Sequence, residues 1–252
     1  MLKKRVIEVA GLSDVGCQRH DNEDYFSYWA SDDDAELERK GEIFIVADGM
    51  GGHEGGQEAS HIAVEAIQET YAAIREGDPQ AALTAGFHEA HRQIVEYALQ
   101  HPQLRGMGTT ATAAVVVAQH LYYAHVGDSR LYLVRDNKLS RLTHDHSYVS
   151  RLVENGTITP EEAEVHPQRH VLTAALGVGQ EVAPDAPQAP VELRSGDTLV
   201  VCTDGLWGLV SESEIQNEVS AGKPAEACRA LIAMAKDRGG PDNITLQVAR
   251  IL

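Results

Sequence analysis

Cysteines and long apolar runs are scarce in this sequence. Its 252 residues include three widely spaced cysteines, Cys17, Cys202 and Cys228, and no C-x-x-C pair, which argues against a disulfide framework or a zinc ribbon. No apolar run approaches the roughly 20 residues of a membrane-spanning helix. No apolar signal-peptide core follows the basic N-terminus. We therefore expect a soluble protein of a reducing cytoplasm that does not bind membranes.

Basic residues are also few, since 21 lysines and arginines stand against 38 acids and give a net charge of −17. Such a charge repels polyanions, so we expect no nucleic-acid partner. An acidic protein that handles phosphate needs cations, which divalent metals would provide. Hydrophobic residues make up 43% of the chain, and no repeat or linker divides it. We expect one domain over residues 1–252 that acts as a monomer.

The usual nucleotide-binding patterns are missing as well. Neither G-x-x-x-x-G-K-[ST] nor G-x-G-x-x-G occurs in the glycine-rich stretch IVADGMGGHEGG, which runs from Ile45 to Gly56. Three interpretations of this stretch remain open. It is a strand-to-helix turn, a loop whose backbone approaches a phosphate, or a metal site. In the last case Asp48 supplies a carboxylate and Gly49 turns its carbonyl toward the same ion.

Apolar periodicity predicts β-sheets with helices outside, in one layered domain. Strands are predicted at 6–11, 43–47, Thr109–Ala118, Leu121–Val126, Arg130–Arg135, TLVVCTD and the closing NITLQVARI. Short connections favour antiparallel pairing. Helices are predicted from Ala59 to Ile74, after the cap Asp78 with Pro79 at the first position, after the capping-box pair Ser211 and Glu214, and from Pro224 to Arg238. The charged segment Ser31–Glu42 is predicted to be an exposed loop.

Four aspartates stand at predicted strand ends, each near a glycine. Asp48 ends IFIVA, Asp204 ends TLVVCT, Asp242 precedes ITLQVA, and Asp128 lies in the turn of HVGDSRLY. A lone aspartate in a turn is usually a cap or an Asx turn, but four in one setting favour a clustered metal site. Oxygen ligands suit Mg²⁺ or Mn²⁺ better than zinc. Two such ions, roughly 3.5–4 Å apart, would activate a water for attack on phosphorus.

Seven segments together resemble bacterial members of the PPM family, the PP2C-type metal-dependent protein serine/threonine phosphatases. They occur in family order over about residues 9–250: SDVGCQRHDNEDYF, IVADGMGGHEGG, GTTATAAVV, AHVGDSRLYL, LTHDHS, VCTDGLWG and GGPDNITLQV. The resemblance implies an α+β fold, a four-layer α-β-β-α sandwich of two antiparallel sheets flanked by helices. It also implies a two-metal cleft at one end that hydrolyses phosphoserine and phosphothreonine in phosphorylated proteins.

The resemblance also implies roles for single residues. Asp48 resembles the carboxylate that bridges both metals, and Gly49 the residue that gives its backbone carbonyl. Asp204 and Asp242 resemble ligands of one metal. Asp128, with Asp204 alongside, resembles a ligand of a third, weaker ion.

Three further residues complete the predicted active site. Glu23 and Asp24 match acids that hold metal-bound waters, and Arg19 matches the arginine that clamps the substrate phosphate. A guanidinium fork binds phosphate bidentately, which suits that role. Many eukaryotic members carry a histidine directly after Asp-Gly, proposed as general acid. Here that position is Met50, and His53 comes three residues later.

Other interpretations of single residues stay open. His166 and His170 have an i, i+4 spacing that could bind zinc on a helix, but Pro167 disfavours a regular helix there. Trp207 either touches substrate or covers the cleft. Thr109 and Thr110 are interpreted as small residues that allow close sheet packing.

The segment from about His146 to Leu176 is too long for a simple turn, and long loops of this kind usually carry function. In the resembled family this region is a variable flap beside the cleft. Arg169 and His170 are its predicted substrate-binding residues. The rival functions are a pseudophosphatase, disfavoured because every matched acid is present, and a phosphohydrolase of nucleotides or small phosphoesters.

Overall fold

The computed structural model describes residues 7–52, 54–74 and 77–252. Its strands are β1 Ile7–Asp14, β2 Asp24–Ala30, β3 Glu42–Met50, β4 Gly108–Thr109, β5 Ala111–Val117, β6 His120–Val126, β7 Arg130–Arg135, β8 Lys138–Arg141, β9 Val191–Glu192, β10 Thr198–Cys202 and β11 Ile244–Ile251. Its helices are α1 Asp34–Lys40, α2 Glu54–Ala73, α3 Pro79–Gln100, α4 Tyr148–Glu154, α5 Pro160–Glu164, α6 Asp204–Trp207, α7 Glu212–Ala221 and α8 Pro224–Asp237. Within these residues no helix combines the length and the apolar character that a bilayer crossing requires.

The strands form two antiparallel sheets. The first sheet has the order β1-β11-β10-β7-β8, and the second has the order β2-β3-β5-β6-β9 with β4 paired to β3. In the first sheet, β11 lies between β1 and β10, so the closing strand of the chain is central. The antiparallel pairing that short connections predicted is confirmed.

Three apolar layers hold the sheets and helices together. Helices α2 and α3 cover the second sheet around the buried Ile67 and Phe87. Helices α7 and α8 cover the first sheet around Ile215 and Leu231. Between the sheets lies a third layer, in which Phe44 and its neighbours are buried. Each such side chain contributes about 1.5–3 kcal/mol when it is fully buried. The predicted four-layer α-β-β-α sandwich is confirmed.

The predicted loop Ser31–Glu42 is wrong, because it contains helix α1. Asp33 caps this helix by accepting a hydrogen bond from the backbone N–H of Glu36 at 2.8 Å. Acids in its first turn and bases in its last turn complement the helix dipole. Lys40 is buried and bonds to Glu36 and to the carbonyl of Ala72, which fixes the helix to α2. High charge therefore marked a capped helix here and not a loop.

The sequence prediction also missed β2. After Asp24 every residue of this strand is half-buried, so the polar-apolar alternation of a one-sided strand is absent. The predicted first strand, 6–11, corresponds to β1, which extends to Asp14, while its residue 6 lies outside the described residues. Helices α2 and α3 cover the predicted helical spacing, and Asp78 caps α3 by accepting from the N–H of Gln80.

Candidate metal centre and active site

Strand pairing brings the predicted acids to one end of the sandwich. Asp24 at the start of β2 stands directly opposite Asp48 near the end of β3. Asp204 follows the end of β10 and Asp242 precedes the start of β11, so both lie at the same edge of the first sheet. Asp128 lies in the turn between β6 and β7. Acids from both sheets thus meet at one edge.

Two threonines hold the backbone of Asp48. Thr110 Oγ1 accepts a hydrogen bond from the Asp48 N–H at 3.1 Å, and Thr109 Oγ1 donates to the Asp48 carbonyl at 2.8 Å. Thr110 Oγ1 also lies 2.6 Å from Ser129 Oγ, beside Asp128. All three hydroxyl residues are buried. The interpretation of Thr109 and Thr110 as mere packing residues is therefore incomplete, because they position the central carboxylate.

Asp24 is held by the strand that leads to Asp204. Its Oδ2 accepts a hydrogen bond from Thr203 Oγ1 at 2.9 Å. Burial raises the pKa of Asp24 to about 7, although hydrogen bonds from Thr245 and Thr203 oppose this shift. Asp24 is therefore a buried acid whose proton occupancy changes near neutral pH.

Asn243 is a residue that sequence reasoning missed. It is buried, accepts from the N–H of Glu23 at 2.8 Å, and donates to the carbonyls of Val15 and Asp21 at 3.0 Å each. It thereby fastens the Glu23–Asp24 segment to the loop that carries Asp242. The only signal in the sequence is its place directly after Asp242.

The glycines of the first motif allow close backbone contacts. A Cβ at Gly49 would lie 2.1 Å from the carbonyl oxygen of Gly56 and 2.6 Å from that of Glu23. A Cβ at Gly56 would lie 2.2 Å from Glu23 Oε2. All three distances are far inside van der Waals contact. These glycines let the start of α2 and Glu23 pack against the end of β3, which keeps the Glu23 carboxylate beside the site.

The clustered acids repel one another. Burial is the largest cause that raises the pKa of Asp48 well above its ordinary value, and the carboxylates of Asp24, Asp204, Asp128 and Asp242 raise it further. The pKa of Asp128 is also raised well above its ordinary value, first by burial and then by Asp204. A divalent cation would reverse this effect by stabilising the ionised carboxylates.

The donor set fits divalent cations of the Mg²⁺ and Mn²⁺ type. Within the described part of the chain, Asp24 Oδ1 and Asp204 Oδ1 are buried without a hydrogen-bond partner, which is costly for a carboxylate unless something else binds it. Among the described residues, no three Asp, Glu, His or Cys side chains converge closely enough to enclose one ion. Mg²⁺ requires no such cage, since it keeps several waters and takes one or two carboxylates.

Arg19 lies at the same edge. Its Nη2 is 2.8 Å from Asp242 Oδ2, and the two side chains are 50% and 37% exposed. The hydrogen bond to Asp242 is the main cause that raises the pKa of Arg19. The contact is single and open to solvent, so the guanidinium remains accessible to a ligand.

The Asp128 turn is held from two sides. Trp207 Nε1 donates to the Asp128 carbonyl at 2.9 Å. On the other side, the N–H of His146 donates to the Gly127 carbonyl at 2.6 Å, and His146 Nδ1 accepts from the Gly127 N–H at 3.2 Å. Trp207 therefore covers this end of the sandwich and also bonds to a predicted site residue, which the sequence did not indicate.

The predicted flap contains helices α4 and α5 followed by a turn through residues 165–170. His170 Nδ1 lies 3.8 Å from Asp204 Oδ2, so the flap reaches the acids. Arg169 is exposed, and its side chain has no ion pair or hydrogen bond within the described part of the chain. His166 instead accepts from the N–H of Gln168 at 3.1 Å. The turn separates His166 from His170, so the open zinc interpretation gains no support.

A cavity of about 430 Å³ opens at the base of the flap. Its lining includes His144, His146, Arg151, Thr173 and Asp185. His146 contributes both to this lining and to the hold on Gly127. The cavity thus borders the Asp128 turn from the flap side, while the acids themselves lie on an open edge. The remaining candidate, His53, lies outside the described residues.

Comparisons with known proteins agree with this geometry. A family model described as protein phosphatase 2C matches residues 19–221. Protein phosphatase PhpP of Streptococcus pneumoniae is 37% identical over 250 residues, which cover 95% of this chain and 96% of PhpP.

Solved structures give the same relationship. The Mycobacterium tuberculosis serine/threonine phosphatase PstP has a TM-score of 0.87 at 38% identity, covering 98% of this chain and 99% of that chain. The catalytic domain of PstP in complex with two manganese ions has a TM-score of 0.84 at 37% identity, with 98% and 99% covered. The chain therefore belongs to the protein phosphatase 2C family, and the prediction of a metal-dependent protein serine/threonine phosphatase is confirmed.

Proposed function

We propose that this chain hydrolyses phosphoserine and phosphothreonine in cytoplasmic proteins, with Mg²⁺ or Mn²⁺ at a dinuclear site. The observation that carries the proposal is that acids from both sheets meet at one edge. Two of their buried oxygens have no hydrogen-bond partner among the described residues, and a solvent-accessible arginine lies beside them. The manganese-bound PstP domain, similar over 98% of this chain, supports the choice of cation.

The chain's own residues suggest how two core ions would be held. Asp48 would contact both ions, because it lies centrally: the other four aspartates are all close enough to raise its pKa. Gly49 would offer its carbonyl, and Asp204 and Asp242 would bind one ion from the first sheet. Asp128 would hold a third, weaker ion together with Asp204, whose buried Oδ1 finds no hydrogen-bond partner in the described part of the chain.

The remaining acids would act through water. Glu23 and Asp24 flank the centre. Asp24 is fixed by Thr203 at one oxygen, while its other oxygen has no hydrogen-bond partner among the residues that the structure describes. A carboxylate with one committed oxygen accepts from a water molecule in a fixed direction. With a pKa of about 7 in the absence of cations, Asp24 also has the range needed to hold or release a proton near neutral pH.

Bound divalent cations would supply the chemistry, since they polarise phosphoryl oxygens and lower the pKa of water enough to give a nucleophile at neutral pH. Arg19 would leave Asp242 and orient the phosphate with its guanidinium fork. The water would lose one proton to solvent as its oxygen forms a bond to phosphorus. The bond from phosphorus to the serine or threonine oxygen would break, and that oxygen would take up a proton. Met50 has no proton to give, so solvent water is the donor we propose.

Phosphate release from a phosphothreonine peptide tests the proposal. We expect turnover with Mn²⁺ or Mg²⁺, loss of turnover with excess chelator, and recovery when the cation is restored. A phosphopeptide that binds without turnover in saturating cation would instead indicate a pseudophosphatase. Faster hydrolysis of nucleotides than of phosphopeptides or phosphoproteins would favour the small-phosphoester alternative.

A further inference from the structure

Trp207 connects Asp128, in the turn that joins the two sheets, with Asp204, which follows strand β10. It is the last residue of α6, the short helix that begins at Asp204, so the two side chains are separated by one helical turn. Its indole N–H donates to the carbonyl of Asp128 at 2.9 Å. The bond therefore ties the β6–β7 turn to the helix that carries Asp204.

The indole ring is itself clamped. The guanidinium carbon of Arg130 lies 3.5 Å from the centroid of the Trp207 ring, within the range of a cation–π contact. Arg130 is held in turn by both oxygens of Asp145, at 3.0 and 2.6 Å, and by the hydroxyl of Tyr132 at 3.2 Å. The Arg130 and Asp145 side chains are only 14% and 8% exposed. Because the Arg130 guanidinium lies on one face of the Trp207 ring and is itself held, the ring has little freedom to rotate.

This clamp opposes a repulsion. Asp128 and Asp204 carry like charges when both are ionised, and the Trp207 hydrogen bond joins the turn of one to the helix of the other. Without a restraint, two like charges at the ends of short loops would separate. The hydrogen bond from Trp207 and the stacked Arg130 instead hold the Asp128 turn against α6. Asp204 Oδ1 meanwhile has no hydrogen-bond partner within the described residues.

We propose that Trp207 is a positioning residue, which sets the separation of Asp128 and Asp204 and thereby the affinity of the third, weaker cation site. The inference rests on the proposed function, because it assumes that these two acids share a cation. It assigns Trp207 no contact with substrate. It also explains why a large aromatic residue with one N–H follows TDGL, where a smaller apolar residue would suffice to cover the edge.

The chain supplies its own reporter and control, because it has only two tryptophans. Trp29 lies in β2, five residues after Asp24, and packs near Lys40. The Trp29→Phe protein therefore has Trp207 as its sole indole, and the Trp207→Phe protein has only Trp29. We expect Mn²⁺ to quench Trp207 emission with the midpoint of the weaker binding step seen by calorimetry. The emission of Trp29 should respond little.

Calorimetry with Mn²⁺ alone then measures the positioning effect without substrate. Trp207→Phe keeps a ring for Arg130 to cover but removes the N–H, so the weaker step should lose about three- to ten-fold in affinity, the value of one hydrogen bond. The tight step should change by less than about two-fold. Arg130→Lys, which loses the fork, should shift the same step in the same direction.

A double-mutant cycle decides whether Trp207 acts through Asp128. In an Asp128→Ala background, Trp207→Phe should have no further effect on Mn²⁺ binding. An unchanged weaker step in the folded Trp207→Phe protein, equal losses at both steps, or full additivity in the cycle would each overturn the inference. If the wild-type protein binds no Mn²⁺ at all, the proposed function fails instead. If it binds two ions and no weaker one, only the third site and this inference fail.

Discussion

Strand β10 has an aspartate at each end, and the two are treated differently. At one end, Asp197 has both oxygens filled: Arg135 donates to them at 2.9 and 2.6 Å, and the N–H of Arg194 adds a bond at 2.8 Å. At the other end, Asp204 Oδ1 is buried and has no hydrogen-bond partner among the described residues. Groups of the protein itself bond both oxygens of the Asp197 carboxylate, whereas one oxygen of Asp204 is available to a ligand. A buried carboxylate oxygen without a partner in the described residues, more than the aspartate itself, distinguishes a candidate site from a structural contact.

The arginines at the two ends show the same contrast. Arg135 binds Asp197 as a fork, and Asp197 is only 3% exposed. Arg19 makes one contact with Asp242, and both side chains are well exposed. A single exposed ion pair contributes little, on the order of 0–1 kcal/mol. Arg135 is therefore committed to the fold, while Arg19 can exchange its carboxylate for a phosphate at small cost.

The two ends also respond to pH in opposite directions. Burial alone would raise the pKa of Asp197, but hydrogen bonds from Arg135 and Arg194 lower it. Its contribution to stability is present above the unfolded pKa and is lost as the pH falls through the folded value. Asp48 has a raised pKa, so its contribution is present below the unfolded pKa and is lost as the pH rises. Near neutral pH the cation-free site therefore destabilises the fold.

The largest effect should come from Asp48→Asn. Turnover should fall by about 10³-fold or more, because the substitution removes the carboxylate proposed to hold both cations. The cation-free protein should be as stable as the wild type or more so, since one repelling charge is gone. Phosphopeptide turnover and thermal unfolding in chelator measure the two effects. Substantial turnover in the variant would contradict the proposed centre.

Asp197→Asn is the matched control at the opposite end of the sandwich, where β10 begins. It removes the same charge by the same substitution, yet its kcat and KM should remain near wild type where the protein is folded. A large loss of turnover there would erase the distinction between the two ends.

Divalent cation should stabilise the wild-type protein. At about 100 times its Kd, a cation that binds only the folded state adds about 2.7 kcal/mol to the free energy of unfolding. Asp197→Asn should keep this gain and Asp48→Asn should lose most of it. Thermal unfolding with Mn²⁺ and with chelator tests this without substrate. An equal gain in both variants would place the cation away from Asp48.

Arg19→Ala should lower kcat/KM by about 10- to 100-fold, corresponding to the loss of a charged hydrogen bond of about 1.5–3 kcal/mol. Most of the loss should appear in KM, because a clamp used in ground and transition states alike is uniform binding. Arg19→Lys should restore only part, since the fork is lost. Arg135→Ala, which changes the partner of Asp197 at the other end of the sandwich, should leave KM unchanged. An unaltered KM in both Arg19 variants would remove this arginine from the site.

Asp197→Asn should lower the free energy of unfolding by about 1–2 kcal/mol at neutral pH, because one charged partner of a buried fork is neutralised. The difference from wild type should shrink as the pH falls below the ordinary aspartate range, where the wild-type carboxyl is protonated too. Denaturant unfolding at several pH values measures it. A deficit that persists in acid would show that packing, and not the ion pair, is responsible.

Much of this arrangement was predictable from the sequence because its signals are local. An aspartate beside a glycine at the end of an apolar strand is visible within about ten letters, and Asp48 and Asp204 each show it, while Asp242 stands just before an apolar strand. The sandwich followed from strand periodicity, short turns and the family resemblance. Helix α1 was missed because its charges resembled a loop, although the cap at Asp33 was present.

The supporting residues were not predictable, since their partners are remote in sequence. Thr203 bonds Asp24 across 179 residues, and Asn243 bonds Glu23 across 220. Trp207 reaches Asp128 across 79 residues. No pattern within one segment reports such a pairing. Thr203 and Asn243 border strands of the first sheet, whereas Asp24 and Glu23 lie at β2 in the second, so these contacts form only when the two sheets pack together.

The smallest effects should come from substitutions in the flap, whose His170 lies at the same end of the sandwich as Asp204. His170 lies 3.8 Å from Asp204, whereas Arg169 is exposed and has no partner within the described residues, so both are placed to meet a substrate protein and not the scissile bond. His170→Ala or Arg169→Ala should leave turnover of a small aryl phosphate within a few-fold, on the order of 1 kcal/mol or less. A phosphoprotein should be slowed more, because remote contacts orient it. Glu161→Ala, an exposed change on α5, serves as the control and should alter neither substrate. Equal losses on both substrates would place His170 in the catalytic centre. No loss on either would show that the metal-site residues alone, without the flap, bind the substrate.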